Sequence, residues 1–385
     1  MDIKYFDHAA SSWPKPPEVI EAMTRNLSES GANPGRGSHA MAVKASRVLF
    51  ETRRNAAKLF GVRNPNDISF ALNTTAALNL AILGFVREGA HVISTAVEHN
   101  SVRRPLEYLK RTRNVSVTYV SADIRGRVKV ADVEAAIRPN TELVVVNHSS
   151  NLLGTVQPVP EIGAMCRRHG VRLLVDAAQS AGILPIDVDA MGIDMLAFPG
   201  HKGLLGPQGT GGLYIHPDLE LEPLMHGGTG SQSEALEQPK VRPDRYEAGT
   251  PNTVGIAGLN EGIKYVLSKS VESIHAHEWA LSQRLMEGLV RLPGVQLLGP
   301  EIGELKTGIV AFNIEGADSS EISFVLDQSF GIAVRAGYHC TPLAHEAIGT
   351  LANGAVRASV GYATTTEDVD YFIEAIKEIV EGYLK

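Results

Sequence analysis

Between residues 68 and 215 short apolar runs alternate with stretches of helical period, and this alternation constrains the fold more than any other feature. Strands are predicted at 68–71, 91–95, 115–120, 142–147, 172–176, 195–198 and 212–215. Helices are predicted at 73–82, 101–111, 130–137 and 159–169, after an N-terminal helix at 17–27 and a long one at 41–60. Strands separated by helices fold as a mainly parallel sheet with helices on its faces, and such sheets bind ligands beyond the carboxyl ends of their strands. After helices at 254–268 and from 276 to 289 or beyond, the pattern changes. Strands at 308–313, 333–335 and 356–360, with helices at 319–328 and 367–384, read as a smaller α+β unit packed with the N-terminal segment. The expected division is 15–265 for the large unit, and 1–14 with 266–385 for the small one.

Several predicted strand ends carry chemistry. The run 195–198 leads into Pro199-Gly-His-Lys-Gly203, so Lys202 follows a buried strand directly. An ammonium is costly to bury, and a lysine that loses its proton easily attacks carbonyls. The run 172–176 ends on Asp176, followed by Ala177, Ala178 and Gln179. A Schiff-base lysine and a carboxylate facing a pyridinium nitrogen are what pyridoxal phosphate requires of a protein. Asn73 opens a helix whose first residues, Thr74 and Thr75, offer unpaired amides to an anion.

Quoted together, D-A-A-Q at 176–179, G-H-K at 200–202, E-A-G-T-P-N at 247–252 and R-A-G-x-H-C at 335–340 resemble the class V aminotransferases, fold type I pyridoxal-phosphate enzymes. The R-A-G-x-H-C string resembles the second group of cysteine desulfurases, which also act on selenocysteine. The resemblance implies that Lys202 carries the cofactor, Asp176 holds its ring nitrogen protonated and Gln179 meets its hydroxyl. It implies that Thr74 and Thr75 hold the phosphate, that His201 also binds the cofactor, and that His99 stacks on the ring and moves protons. Asn151, Arg357, Arg335 and His339 become substrate-side residues, with Asn151 also touching the cofactor. Thr250 is implied to reach the phosphate of a partner subunit, which makes a homodimer. Arg36 and His39 fall near the mouth of the site. Many relatives carry a serine at the position of Pro199, so one phosphate hydroxyl is missing here.

Only two cysteines, Cys166 and Cys340, occur in 385 residues, so no disulfide framework exists and a reducing, cytoplasmic setting is expected. Cys166 falls on the apolar face of a predicted helix and reads as a small core residue. Cys340 follows His339 in a glycine-flanked loop near Arg335, an environment that favours the thiolate. A net charge of −7 argues against nucleic acid, no apolar run approaches the ~20 residues of a membrane helix, and no metal site is expected.

The expected function is pyridoxal-phosphate-dependent removal of sulfur or selenium from L-cysteine or L-selenocysteine. It yields alanine and a persulfide on Cys340, with a sulfur-acceptor protein as a possible partner. A C–S β-lyase or aminotransferase of the same family, and a carrier without turnover, stay open.

Overall fold

The computed structural model describes residues 3–35 and 37–383; Arg36 and Leu384 lie outside the described residues. A seven-stranded sheet forms its largest layer, in the spatial order Ile68–Ala71, Gly211–Ile215, Met195–Pro199, Arg172–Asp176, Thr141–Asn147, His91–Thr95, Ser116–Val120. All neighbours pair in parallel except Gly211–Ile215, which runs antiparallel to both of its neighbours. This is the mainly parallel α/β sheet that the alternation predicts.

The sheet is buried on both faces because successive side chains point to opposite sides. Val144, Val146, Leu173, Val175, Leu196 and Phe198 enter one core. Leu143, Val145, Leu174, Met195, Ala197 and Leu213 enter the other. Each such side chain, fully removed from water, contributes about 1.5–3 kcal/mol.

Helix ends follow local chemistry. Asn73 caps the helix Thr74–Phe85 by accepting from the Ala76 amide at 2.9 Å. The helix Val159–His169 stops at Gly170, whose φ of +65° suits a residue without Cβ. The helices Thr253–Lys269 and Val271–Leu289 are separated only by Ser270, so the second starts five residues before its predicted beginning.

A four-stranded antiparallel sheet forms the second layer, in the order Arg335–Gly337, Ala355–Ser359, Ile309–Ile314, Val295–Leu298. The single strand expected at 333–335 is in fact two. Ile332–Ala333 pairs with Lys4–Tyr5 in its own two-stranded sheet, and Arg335–Gly337 joins the four-stranded one. The chain changes sheets at Val334, which an apolar run alone does not reveal. Phe6 packs in the same core as Phe312, Val356 and Phe372, so the first residues are held by the last third of the chain. The strand Val295–Leu298 and the helix Pro342–Ala347 have no counterpart in the sequence reading.

Candidate active site

The strand ends 147 and 176, with the turn that follows 199, open onto a cleft of about 110 Å³. Its walls include Thr74, Thr75, His99, Asn151, Asp176, Gln179, His201 and Lys202. Eight residues expected to serve the cofactor, scattered over 74–202 in sequence, therefore meet in one place.

Lys202 is pushed down to about 8 by burial, then by the Arg357 and Arg335 charges, against the pull of Asp176 and Asp7. Asp176 is pushed up to about 6 by burial, opposed by the Ala178 amide that donates to its Oδ1 at 2.9 Å and by Lys202. His99 caps the helix Asn100–Thr112, its Nδ1 accepting from the Ser101 amide at 3.0 Å. An amide only donates, so Nδ1 is unprotonated and the neutral ring carries its proton on Nε2. Burial and the cations Lys202, Arg335, Arg104 and Arg357 depress His99 to about 4, which keeps that ring neutral at pH 7.

The cleft suits pyridoxal phosphate. One carboxylate and one lysine line it, and the amides of Thr74 and Thr75 begin a helix with no partner inside that helix. His201 Nδ1 is buried with no partner, as expected of a donor waiting for an anion. Gln179 donates its Nε2 to the Ala9 carbonyl at 3.0 Å, which orients its amide at the cleft wall.

Most residues expected on the substrate side come from the second layer. Tyr338-His339-Cys340-Thr341 is a tight turn: the Thr341 amide donates to the Tyr338 carbonyl at 3.0 Å, and His339 and Cys340 have φ of +48° and +59°. Positive φ at both central residues is the type I′ pattern, uncommon without glycine or asparagine. Neighbours hold it. Asn151 Nδ2 donates to the His339 carbonyl at 2.7 Å, and the Asn100 amide to the Cys340 carbonyl at 2.8 Å. Arg335 Nη2 reaches Cys340 Sγ at 3.7 Å, and the thiol is partly exposed. Cys166, by contrast, is buried and its thiol is pushed up to about 12, chiefly by burial. Arg357 is 1% exposed; its Nη2 pairs with Asp7 Oδ1 at 2.9 Å and its Nη1 donates to the Asn151 carbonyl at 2.8 Å. Only its Nε is left without a partner.

Thr250 is not part of the cleft. It is exposed and accepts from Asn33 Nδ2 at 3.2 Å. His39 caps the helix Ala40–Phe60 through the Ala42 amide and does not line the cleft. Pro199 closes its strand by pairing with Gly211. Sequence reasoning missed Ser101, Asn147, Ser149 and Asp7. Ser101 bonds Thr75 Oγ1 at 2.7 Å and His99 Nδ1 at 2.9 Å, a bridge visible only after folding.

The profile described as Aminotransferase class-V matches residues 4–372. The chain belongs to the class V aminotransferase family. That family depends on pyridoxal phosphate and has the fold type I architecture seen here. Among curated class V relatives, a probable cysteine desulfurase from Methanothermobacter thermautotrophicus is 39% identical, over 98% of this chain and 95% of that protein. One from Pyrococcus abyssi is 36% identical, over 99% and 95%. Among solved class V structures, an apo cysteine desulfurase from Thermococcus onnurineus NA1 superposes with a TM-score of 0.94. It is 34% identical, over 99% of this chain and 95% of that one. No helix among the described residues is long and apolar enough to cross a membrane.

Proposed function

We propose that this chain is a pyridoxal-phosphate-dependent cysteine desulfurase. The observation that carries the reading is Cys340 on a strained turn beside the Lys202 cleft, with Arg335 at its sulfur. The similarity to cysteine desulfurases over nearly the whole chain supports it.

Bound through Lys202, the cofactor supplies an electron sink for the substrate's α-carbon. Asp176 would face the ring nitrogen, and Thr74, Thr75 and His201 would hold the phosphate. His99 would cover the ring and offer its Nε2 proton. Arg357, with Asn151, receives the substrate carboxylate; Asp7 is the carboxylate already on that guanidinium. Once the substrate's amine has displaced it from the cofactor, Lys202 Nζ would be free to take the α-proton. Cys340 Sγ attacks the substrate sulfur, so a sulfur–sulfur bond forms as the Cβ–S bond breaks. The electron pair goes to carbon, which takes a proton and leaves as alanine. L-Cysteine and a thiol thus become alanine and a persulfide, with no outside oxidant. L-Selenocysteine is a second substrate, a sulfur-acceptor protein takes the persulfide sulfur, and the protein works in the cytoplasm. The active form is a homodimer in which Thr250 serves the partner's phosphate. Residues 15–265 form the cofactor-binding unit, and 1–14 with 266–385 the smaller one.

Replacing Cys340 by alanine tests the reading. Alanine formation from L-cysteine is expected to fall by about a thousandfold or more, while the cofactor absorbance stays, because a thiolate leaves poorly without a nucleophile on sulfur. Selenocysteine breakdown is expected to survive in part. Pyruvate and ammonia as products, indifferent to the loss of Cys340, would instead identify a β-lyase.

A further inference from the structure

Glu98, one residue before His99, has no role in the reaction as derived above. Its carboxyl is buried, with 3% of the residue exposed. Thr95 Oγ1 donates to Oε1 at 2.6 Å, and the Asn147 amide donates to the same oxygen at 2.9 Å. Oε2 has no partner. Asn147 is further fixed by its side chain, whose Nδ2 donates to the Val97 carbonyl at 2.6 Å. Asn147 pairs across the sheet with Asp176. The Glu98 side chain therefore ties the turn that bears His99 to the strand end next to Asp176.

The backbone of the same residue ties that turn to the nucleophile. Thr341, fully buried, donates its hydroxyl to the Glu98 carbonyl at 3.1 Å. Two residues on, the Asn100 amide meets the Cys340 carbonyl. The platform under the ring and the turn bearing the thiol, which belong to different sheets, are thus joined through residues 98–100. Left-handed φ at His339 and Cys340 costs on the order of 1–3 kcal/mol each and persists only where surroundings impose it. The two bonds from 98–100 are half of what imposes it, beside Asn151 on the His339 carbonyl and His339 Nε2 on the Ala355 carbonyl at 2.9 Å.

We propose that Glu98 is a positioning residue, with Thr341 as its counterpart: together they set the His99 ring and the Cys340 sulfur relative to each other. Glu98 does so as a neutral acid. An ionised carboxylate with one bare oxygen, no cation in contact and Asp176 close by is disfavoured there. Burial, helped by Asp176 and opposed by Thr95 and Asn147, pushes it up to about 8. Glutamine, equally neutral and nearly the same shape, still accepts both hydrogen bonds.

The inference rests on the desulfurase reading, and its test separates the two. The holoenzyme and its Glu98→Ala, Glu98→Gln and Thr341→Val variants are compared in three ways. These are kcat and KM for alanine from L-cysteine, visible circular dichroism of the bound cofactor, and hydrogen exchange at the Asn100 and Thr341 amides. In Glu98→Ala, kcat is expected to fall about tenfold or more with KM little changed, because misplacement by a fraction of an ångström is costly at the reacting atoms. The dichroic band should shrink and both amides should exchange faster, and Glu98→Gln should restore all three. Thr341→Val should slow persulfide formation on Cys340 and speed exchange at Thr341, leaving the dichroic band unchanged. A Glu98→Ala protein that melts earlier but keeps its kcat and dichroism has lost only stability, and the proposal is then wrong. Should that variant not fold, unchanged exchange and persulfide rate in Thr341→Val overturn it as well. A wild type that makes no alanine from L-cysteine defeats the desulfurase reading alone, since dichroism and exchange still report on the link.

Discussion

A lysine in water is almost never the free amine at pH 7. With an ordinary value near 10.5, roughly one molecule in 3,000 is neutral; at about 8 it is roughly one in ten. The folded chain therefore prepares Lys202 to attack an aldehyde before any cofactor arrives. The sign is fixed by the direction of the shift: the reactive form is the deprotonated one, so it grows as pH rises and saturates above about 8. Uptake of pyridoxal phosphate by the apoprotein, followed by stopped-flow absorbance, should accelerate about tenfold per pH unit up to about 8 and then level off. A profile still climbing at pH 10 would mean that Lys202 titrates as a solvated lysine, and the electrostatic picture of the cleft would fail. Burial is the main cause of this value, with Arg357 and Arg335 lowering it further and Asp176 and Asp7 opposing.

Elements hold these residues through a few positions where geometry leaves little choice. Gly354, at the start of the strand Ala355–Ser359, has a φ of +66°. A Cβ there would stand 2.9 Å from Gly337 Cα. Gly337 ends the strand Arg335–Gly337, which delivers Arg335 to Cys340. Gly354→Ala should destabilise the protein by about 1–3 kcal/mol in denaturant unfolding, the cost of a left-handed non-glycine residue plus the displaced strand. It should also lower turnover more than cofactor binding, because the strand that moves carries the thiol side of the site. Unchanged unfolding midpoint and turnover would show that the two strands separate at no cost.

At the scale of the whole molecule, a single chain presents Ile20, Leu27, Phe50 and Leu236 at 58%, 66%, 52% and 105% exposure, and keeps Thr250 outside its own cleft. Only where such side chains lie together do they mark a surface that a partner covers. The proposed homodimer predicts a sedimentation coefficient of a dimer at micromolar concentration. It also predicts that Thr250→Ala weakens pyridoxal phosphate retention several-fold without changing the fold, by removing one hydrogen bond of about 1 kcal/mol. A monomer with full activity would refute it.

Much of this was legible before folding. The strand pattern placed all seven strands of the large sheet to within one residue at their ends, because strands buried on both faces read as near-continuous apolar runs. Lys202, Asp176 and Cys340 stood out because their chemistry contradicts their apolar or constrained surroundings. The sequence by itself determined the layer of the large sheet, and it marked the residues proposed to hold the cofactor and the thiol proposed to act. Three things were decided only by tertiary structure. The 333–335 run divides between two sheets, since pairing depends on partners 328 residues away at Tyr5 and 22 away at Arg357. Arg357 is paired with Asp7 across nearly the full chain length. Glu98, which reads as an ordinary acidic residue before a helix, becomes a buried link between strand end and nucleophile. Hydrogen bonds between residues far apart in the chain leave no periodic trace, because their partners are chosen by the packing of whole layers and not by neighbours in sequence.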